Sequence, residues 1–137
     1  MRKKRRIFLC CLMTLLMAFV MAVPMSVSAT EGDITTAEAL SDAINSAENG
    51  AIITLGNDIT ADVVIPSDKS ITLDLNGHKL TNASGDTITV KIGASLTITG
   101  SGTVDNKTNA KGAIFNEGTV ILNGGTYDRT SETGESA

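Results

Sequence analysis

The sequence predicts an all-β fold, a right-handed parallel β-helix of about three to four coils with an N-terminal capping α-helix. Three near-identical stretches begin at Ser70, Ser95 and Thr119, which lie 25 and 24 positions apart. Self-similarity at this period is typical of solenoids, in which each repeat packs only on its neighbours. From residue 51 onward, apolar residues mostly alternate with Thr, Asp, Lys and Ser, which indicates strands with one dry face.

Residues 1–29 have the organisation of a secretory signal peptide. A basic stretch, Arg2–Arg6, precedes an apolar run, Ile7–Val23, and the segment closes with small residues up to Ala29. The apolar run is close to the length that spans a membrane. Pro24 and the small residues after it favour cleavage after Ala29 over an uncleaved anchor.

Removal of this segment changes the composition of the chain in two ways. Both cysteines, Cys10 and Cys11, leave with it, so the mature chain would have neither disulfides nor a thiolate metal site. The five basic residues also leave, and the net charge goes from −4 to −9. An acidic chain with few aromatic residues is a poor binder of nucleic acid or anionic membranes. We therefore expect a protein that is secreted, extracellular or at the cell surface, with no nucleic-acid partner and no stable membrane insertion after cleavage.

Residues 30–50 are expected to form the N-terminal cap. The spacing predicts a helix over 35–49, with Thr35 and Glu38 as a capping box and Gly50 as the C-terminal stop. The apolar residues of this helix share one face at helical spacing; they are Leu40, Ala43, Ile44 and Ala47. Such a short helix needs a surface to cover, and the first coil would provide it.

Residues 51–130 are expected to form the coils, and two arrangements compete for them. Asn76-Gly77 is a strong hairpin signal and would by itself favour an antiparallel meander or sandwich. Similar turn residues recur at Gly56, Gly100 and Asn123, and a three-sided coil explains all four turns. Aligned as coils, the inward residues form three columns: Ile53, Ile71, Leu96 and Val120; Ile59, Leu80, Val104 and Tyr127; Val63, Ile88 and Ile114.

The repeats also resemble a known family. The runs Ile-Thr-Leu-Asp-Leu-Asn-Gly-His-Lys-Leu, Gly-Ala-Ser-Leu-Thr-Ile-Thr-Gly-Ser-Gly-Thr-Val and Gly-Ala-Ile-Phe-Asn-Glu-Gly-Thr-Val-Ile-Leu-Asn-Gly-Gly-Thr-Tyr are similar to the pectate-lyase-like β-helix repeats of secreted bacterial surface proteins. The resemblance covers about residues 51–128. Proteins with such repeats include carbohydrate-active enzymes, adhesins and large cell-envelope proteins, so the resemblance implies a shape and does not choose an activity.

The column alignment brings together two candidate catalytic residues. Asp105 and Asp128 follow the equivalent inward residues Val104 and Tyr127, so both should point outward, one above the other. Carboxylates about 5 Å apart suit retaining glycoside hydrolysis, or they could hold Ca²⁺ against an acidic sugar. The alternative is a pair of solvated surface aspartates. No other cofactor or metal is expected, and the single histidine, His78, is interpreted as a turn residue.

Function is predicted only as a class. We expect a non-catalytic module, adhesin-like or glycan-contacting, whose outer face presents a ladder such as Asp74, Thr99 and Asn123 to extracellular glycans or to host and cell-envelope surfaces. Two alternatives stay open. One is a polysaccharide lyase or glycoside hydrolase of the pectate-lyase-like class, for which Lys79 and Arg129 are the only nearby basic residues; the other is a structural spacer without a ligand.

The last predicted segment, residues 131–137, is a polar tail without a second capping helix. An uncovered last coil would present open strand edges, which proteins usually protect. Two expectations follow: the sequence is the N-terminal fragment of a larger surface protein, or the open coil is covered by self-association. Asn82-Ala-Ser84 and Asn106-Lys-Thr108 match the glycosylation sequon, a pattern that arises often by chance in such a polar chain.

Overall fold

The computed structural model describes residues 33–130, which form an all-parallel β-solenoid of about three turns preceded by one short helix. The predicted signal peptide (1–29) and polar tail (131–137) lie outside the described residues. In chain order the elements are α1 (Ala37–Ser46), β1 (Ala51–Thr54), β2 (Ile59–Thr60), β3 (Val63–Ile65), β4 (Ser70–Asp74), β5 (Lys79–Thr81), β6 (Ile88–Val90), β7 (Ser95–Thr99), β8 (Thr103–Asn106), β9 (Ile114–Asn116), β10 (Thr119–Leu122) and β11 (Thr126–Arg129).

Three parallel sheets form the walls of the solenoid. Sheet 1 has the strand order β1-β4-β7-β10, sheet 2 the order β2-β5-β8-β11, and sheet 3 the order β3-β6-β9. Strands that follow each other in the chain therefore belong to different sheets, and each strand pairs with its equivalent one coil away. This arrangement excludes the hairpin interpretation of Asn76-Gly77 and confirms the predicted parallel β-helix class.

Two of the three predicted columns are confirmed in register, and one is wrong at its first member. Sheets 2 and 3 pair the residues as predicted, from Ile59 to Tyr127 and from Val63 to Ile114. In sheet 1, however, Ala51 pairs with Ile71, whereas Ile53 pairs with Leu73. Inward positions recur every second residue, so alternation alone cannot distinguish a register from one shifted by two. The small Ala51 was overlooked because its side chain carries so little apolar signal.

The core is the space between the three sheets, and it consists of stacked aliphatic side chains. Ile53, Leu80, Ile88, Leu96 and Ile98 are completely buried. Burial of one such side chain contributes about 1.5–3 kcal/mol. Since each inward row is covered by the rows of the adjacent coils, this contribution depends on the coils being stacked.

The helix begins at Ala37, and its N-cap lies one residue later than the sequence predicted. Thr36, and not Thr35, is the N-cap: its backbone is extended (φ −133°, ψ 160°) and its hydroxyl oxygen accepts a hydrogen bond from the Ala39 amide at 3.1 Å. Glu38 therefore lies in the first turn and not at the third helical position that a capping box requires. Just before this N-cap, Ile34 forms a parallel β-bridge with Leu55.

The helix also ends earlier than predicted, at Ser46. Ala47 has φ −57° and ψ 137°, and the chain then turns through Gly50 (φ +91°), whose amide donates to the Ser70 carbonyl at 2.7 Å. The predicted apolar face is confirmed, since its four members, Leu40, Ala43, Ile44 and Ala47, are buried. These side chains belong to the same core as the inward residues of the first coil, so α1 closes that end of the solenoid.

The corners of the coils rely on left-handed backbone conformations. Asn76 (φ 47°) and Gly77 (φ 82°) turn the chain from sheet 1 to sheet 2, and the His78 amide donates to the Leu75 carbonyl at 2.8 Å. One coil later, Gly102 (φ 141°) lies so close to this corner that a Cβ atom would be 2.5 Å from the His78 carbonyl oxygen.

One apolar residue of the predicted alternation faces solvent. Ile92 continues the pattern of Ile88 and Val90, but β6 ends at Val90 and the Ile92 side chain is 72% exposed. The Ala94 amide donates to the Lys91 carbonyl at 2.9 Å, and Gly93 has φ 83°. This turn places Ile92 outside the sheet, so the prediction that it belongs to the dry face is wrong.

The close approach at Gly102 should be costly to disturb. We expect Gly102→Ala to lower the free energy of unfolding by about 2 kcal/mol more than Gly50→Ala, because the added methyl group must displace the neighbouring corner. Gly50 is the matched control, since it also has positive φ but a methyl group added there would have no neighbouring atom within 4 Å. Urea unfolding followed by circular dichroism measures the difference. Equal losses in the two variants would contradict a packing role for Gly102.

Candidate functional site

The outer face of sheet 2 brings together the charged residues that the sequence singled out. Asp105 and Asp128 pair directly in register between β8 and β11, as the column alignment predicted. Lys79 lies one coil earlier, on β5, and its ammonium group is 2.8 Å from Oδ2 of Asp105. Thr130, directly after β11, completes the group, which we call the Asp105 cluster (Lys79, Asp105, Asp128 and Thr130).

Asp105 is not the solvated residue that its outward position suggested. Its side chain is 0% exposed, whereas Asp128, the next residue in the same column, is exposed. The Thr130 amide donates to Oδ1 of Asp105 at 3.0 Å, and the Thr130 hydroxyl is 2.8 Å from Oδ1 and 2.7 Å from Oδ2. Both carboxylate oxygens of Asp105 therefore have donors, supplied from coils on either side.

These contacts hold Asp105 and Lys79 in their charged forms. Burial alone would raise the pKa of Asp105, but hydrogen bonds from Lys79 and from the hydroxyl and amide of Thr130 outweigh it, so the pKa lies below its usual range. The same hydrogen bond raises the pKa of Lys79, and the nearby charges of Asp105, Asp128 and Asp58 act in the same direction. Near neutral pH the pair is therefore a carboxylate and an ammonium ion.

This charge state bears on the catalytic hypothesis for Asp105 and Asp128. A retaining glycosidase needs one carboxyl group with a raised pKa as general acid and one free carboxylate as nucleophile. Asp105 has a lowered pKa, no exposed surface and no oxygen without a donor. A lyase would need a neutral base, and the raised pKa of Lys79 opposes that role. The geometry thus assigns the Asp105–Lys79 pair to holding coils together.

The same contacts bear on Ca²⁺ binding. Calcium needs six to eight oxygen ligands, usually including several carboxylates with open lone pairs. The oxygens of Asp105 are engaged by Lys79 and Thr130. Within residues 33–130 no group of three or more His, Cys, Asp or Glu side chains is arranged to hold a metal ion.

His78 lies at the corner between sheets 1 and 2, as the sequence indicated. Its ring nitrogen Nδ1 is 3.5 Å from Oδ1 of Asp58, and the same oxygen accepts a hydrogen bond from the Lys79 amide at 2.8 Å. Asp58 belongs to the first coil, so one carboxylate caps the start of β5 in the second. His78 and Asp58 therefore join two coils.

A second polar network, buried at the corner between sheets 2 and 3, was missed by the sequence reasoning. The Asn106 amide nitrogen donates to the carbonyls of Gly85 and Gly112, both at 2.9 Å, and to the Thr87 hydroxyl at 3.2 Å. Its counterpart one coil earlier, Asn82, donates to the Gly85 carbonyl and accepts from the Lys107 amide. The signal was the recurrence of Asn where a strand of sheet 2 ends, at positions 82 and 106.

These contacts decide how the two glycosylation sequons are interpreted. Asn82 is 5% exposed and Asn106 is 0% exposed, and both amide nitrogens are engaged inside the protein. A side chain in this position cannot carry a glycan while the coil is folded. The sequons are therefore consequences of the corner chemistry, in which Asn satisfies buried carbonyls and amides.

Another carboxylate stabilises the loop that follows β5. Asp62 accepts hydrogen bonds from the amides of Ala83, Ser84 and Gly85 at 2.8–3.2 Å and from the Ser84 hydroxyl at 3.2 Å. Partial burial raises the pKa of Asp62, but these hydrogen bonds outweigh it and the pKa is lowered. The loop thus forms an anion-binding nest that the protein fills with its own side chain.

The outer face of sheet 1 carries the predicted ladder. Asp74 on β4 pairs in register with Thr99 on β7, and the Asn123 amide, directly after β10, donates to the Ile98 carbonyl at 2.8 Å. The next column along the strands pairs Thr72 with Thr97. Asp74 and Thr99 are half-buried and Asn123 is exposed. The sequence-predicted residues therefore form one continuous, solvent-accessible surface.

A small concavity lies beside the helix. A depression of about 200 Å³ lies between α1 and β3 and is lined by residues such as Leu40, Ile44 and Val64. Ligand pockets usually enclose 300–1,000 Å³. This depression is therefore smaller than an ordinary ligand pocket.

Comparisons with known proteins leave the family open. No protein-family model matches the chain, and neither the curated proteins nor the solved structures that were searched contain a match to it. Within the described part of the chain, α1 is too short and too polar to cross a membrane, and no other helix there could do so.

The Lys79–Asp105 pair should stabilise the fold much more than an ordinary surface pair. We expect Lys79→Met to lower the free energy of unfolding by about 2 kcal/mol, because it leaves the buried Asp105 carboxylate without its cation. The control is Lys91→Met, which breaks the more exposed contact between Lys91 and Glu117 at 3.7 Å and should change stability by less than about 0.5 kcal/mol. Chemical denaturation measures both, and similar values would contradict the distinction.

The lowered pKa of Asp105 also predicts how stability depends on pH. A group whose pKa is depressed in the folded state stabilises the protein above its unfolded pKa, about 3.9 for Asp, and loses this contribution as the pH falls through the folded value. Asp105→Asn should therefore make the unfolding free energy less dependent on pH below about pH 4. Thermal unfolding between pH 7 and pH 2 compares this variant with the unchanged protein, and an equal dependence on pH below about pH 4 in the two would contradict the prediction.

Proposed function

We propose that the chain is a secreted or cell-surface module of the pectate-lyase-like β-helix kind that contacts extracellular glycans without catalysis, in an adhesin-like manner. The observation that supports this most is the outer face of sheet 1, defined here as the hydroxyl face. Its columns are Ser70, Ser95 and Thr119; Thr72, Thr97 and Ile121; Asp74, Thr99 and Asn123.

The hydroxyl face is suited to polyhydroxylated ligands. Neighbouring strands are about 4.8 Å apart, so each column offers donors and acceptors at regular intervals. A hydroxyl group can both donate and accept, as can an amide, and these are the partners that sugar hydroxyls need. β-branched side chains held in a sheet have little conformational freedom to lose on binding, which lowers the entropic cost of the contact.

The Asp105 cluster supports the non-catalytic part of the proposal. The polysaccharide lyase or glycoside hydrolase alternative would use Asp105 with Asp128, and the register does stack these two residues. Asp105, however, is buried and bound by Lys79 and Thr130. A spacer without a ligand is the remaining alternative, and it requires that the hydroxyl face only be hydrated.

The proposed location follows from the N-terminal sequence. Residues 1–29 have the basic, apolar and small-residue regions of a secretory signal. A chain exported in this way would meet glycans of the cell envelope or of a host surface. Its predicted charge of −9 after cleavage would favour neutral or basic glycans over strongly acidic ones.

Binding to a glycan array is the direct test. We expect the protein to retain at least one glycan class, and Thr97→Ala with Thr99→Ala to reduce that binding about tenfold, which corresponds to the loss of one or two hydrogen bonds. Thr89→Ala is the matched control, because Thr89 is a half-buried outer-face threonine of sheet 3 in the preceding coil.

The other outcomes separate the alternatives. Absence of binding to every glycan would support the spacer. Equal effects of the sheet 1 and sheet 3 variants would place the contact elsewhere. Release of unsaturated or reducing sugars from pectin-like polymers, abolished by Asp128→Asn, would support the enzyme.

A further inference from the structure

The two ends of the solenoid differ in how their apolar side chains are covered. In the last coil Leu122 is 51% exposed, although it pairs in register with Ile98, which is 0% exposed. Val120 and Tyr127 point inward in the same coil and are only half-buried. Among the described residues, β9, β10 and β11 each have a partner strand on one side only. The last coil thus exposes both core side chains and three strand edges, which we call the open end.

The opposite end is closed. Helix α1 packs against β1 and β3, and Ile34 bridges Leu55 at the edge of the first coil. A second copy therefore cannot add its first coil to the open end without displacing α1. A surface that matches the open end must have a triangular outline, an apolar interior and free strand edges. The open end of a second copy has all three.

We propose that two copies of this chain associate tail to tail through their open ends, related by a two-fold axis perpendicular to the solenoid axis. A two-fold interface is self-complementary and closes after two copies, which protects every exposed edge at once. The axis passes through sheet 1, so that β10 pairs antiparallel with β10 of the second copy and β9 faces β11 of the second copy.

The side-chain pattern of β10 fixes the register of this pairing. Residues directly opposite each other in an antiparallel ladder point to the same face, and a slip of one residue reverses the faces. With Ile121 opposite Ile121 of the second copy, Val120 lies opposite the second copy's Leu122. The Val120 and Leu122 side chains of both copies then face the core. The two Ile121 side chains then meet on the outer surface, in the column where earlier coils have Thr72 and Thr97.

The charges also favour the axis through sheet 1. The stretch from Thr119 to Asn123 contains no charged residue, so its self-pairing brings no like charges together. β11 carries Asp128 and Arg129, and it faces the uncharged β9 (Ile114–Asn116) of the second copy. An axis through sheet 2 would instead place two copies of Asp128 close together. An axis through sheet 3 would bury Ile114 against Asn116, a poorer match than Val120 against Leu122.

The oligomeric state of the full chain is the first test. Sedimentation velocity over a range of concentrations should show a monomer–dimer equilibrium without larger species. Ile121→Lys should raise the dissociation constant at least about tenfold, because it places two like charges opposite each other at the axis. Ile52→Lys is the matched control: Ile52 lies on the outer face of the same sheet at the closed end, 53% exposed against 47% for Ile121, and its substitution should leave the dimer unchanged.

A cysteine variant tests the register and does not depend on a destabilising charge. In the full chain with Cys10→Ser and Cys11→Ser, Ile121→Cys would put two thiols directly opposite each other. Cα atoms in such a pair are about 4.5–5.5 Å apart, within the range that a disulfide spans. Mild oxidation should therefore give a covalent dimer for Ile121→Cys and not for Ile52→Cys.

Three results would overturn the inference. These are a monomer at all concentrations, a ladder of species larger than a dimer, and equal cross-linking of the Ile121→Cys and Ile52→Cys variants. Each would mean that something other than a second open end covers the last coil. Tail-to-tail association does not depend on glycan contact, since none of these measurements uses a glycan.

Discussion

The parallel register between coils is the constraint on which the rest of the structure depends. The three walls of one coil of about 25 residues cover its inward side chains only from the sides. Burial of these side chains is completed by the coils above and below. Leu96 and Ile98 are completely buried because β4 and β10 flank β7. Leu122, which within residues 33–130 has a strand on one side only, is half exposed. A shift of register in any sheet would expose a whole row, which is why the corners are so strongly specified.

The corners maintain this register through contacts between coils. Asp58 caps β5 from the first coil, Asp62 fills the nest of the second, and Asn106 joins carbonyls of the second and third. Each of these groups satisfies backbone atoms that the turn leaves without a partner. Around the buried Asn106 an unpaired atom would also be costly. The Asp105–Lys79 pair adds a charged contact of the same kind. Polar groups that resemble catalytic or modification sites in the linear sequence thus fix the relative positions of the coils.

Much of this fold is predictable because the relevant signals are local and repeated. The three near-copies, the alternation of Ile71, Leu73 and Leu75, and the recurring turn residues are enough to identify three walls and to reject the hairpin at Asn76-Gly77. The shift at Ala51 and the late N-cap at Thr36 are not predictable in this way. Alternation does not distinguish a register from one shifted by two, and Thr35 and Thr36 are the same residue type and equally suited as N-caps.

For the candidate site, the burial of Asp105 is the feature that the sequence could not predict. Alternation correctly places Asp105 on the outer face of sheet 2, but the donors that cover it come from Lys79, 26 positions before it, and Thr130, 25 positions after it. No local sequence pattern predicts such a contact, because it depends on two side chains that meet across adjacent coils. The buried Asn106 network escapes prediction for the same reason, and its sequon even suggests an exposed loop.

The hydroxyl face and the open end both involve sheet 1, so the proposed dimer would change the size of the hydroxyl face. If two copies meet at an axis through sheet 1, their hydroxyl faces join into a single surface about twice as long, with Ile121 at its centre. A long polymer could then contact both copies at once, and the second contact would be intramolecular, which strengthens weak individual contacts considerably. If the hydroxyl face contacts glycans as proposed, contact over the joined face of two copies would be stronger than contact over the face of one copy. An interface that doubles the length of the face would therefore compensate for the shallowness of each contact, and it would do so with no additional residue in the chain.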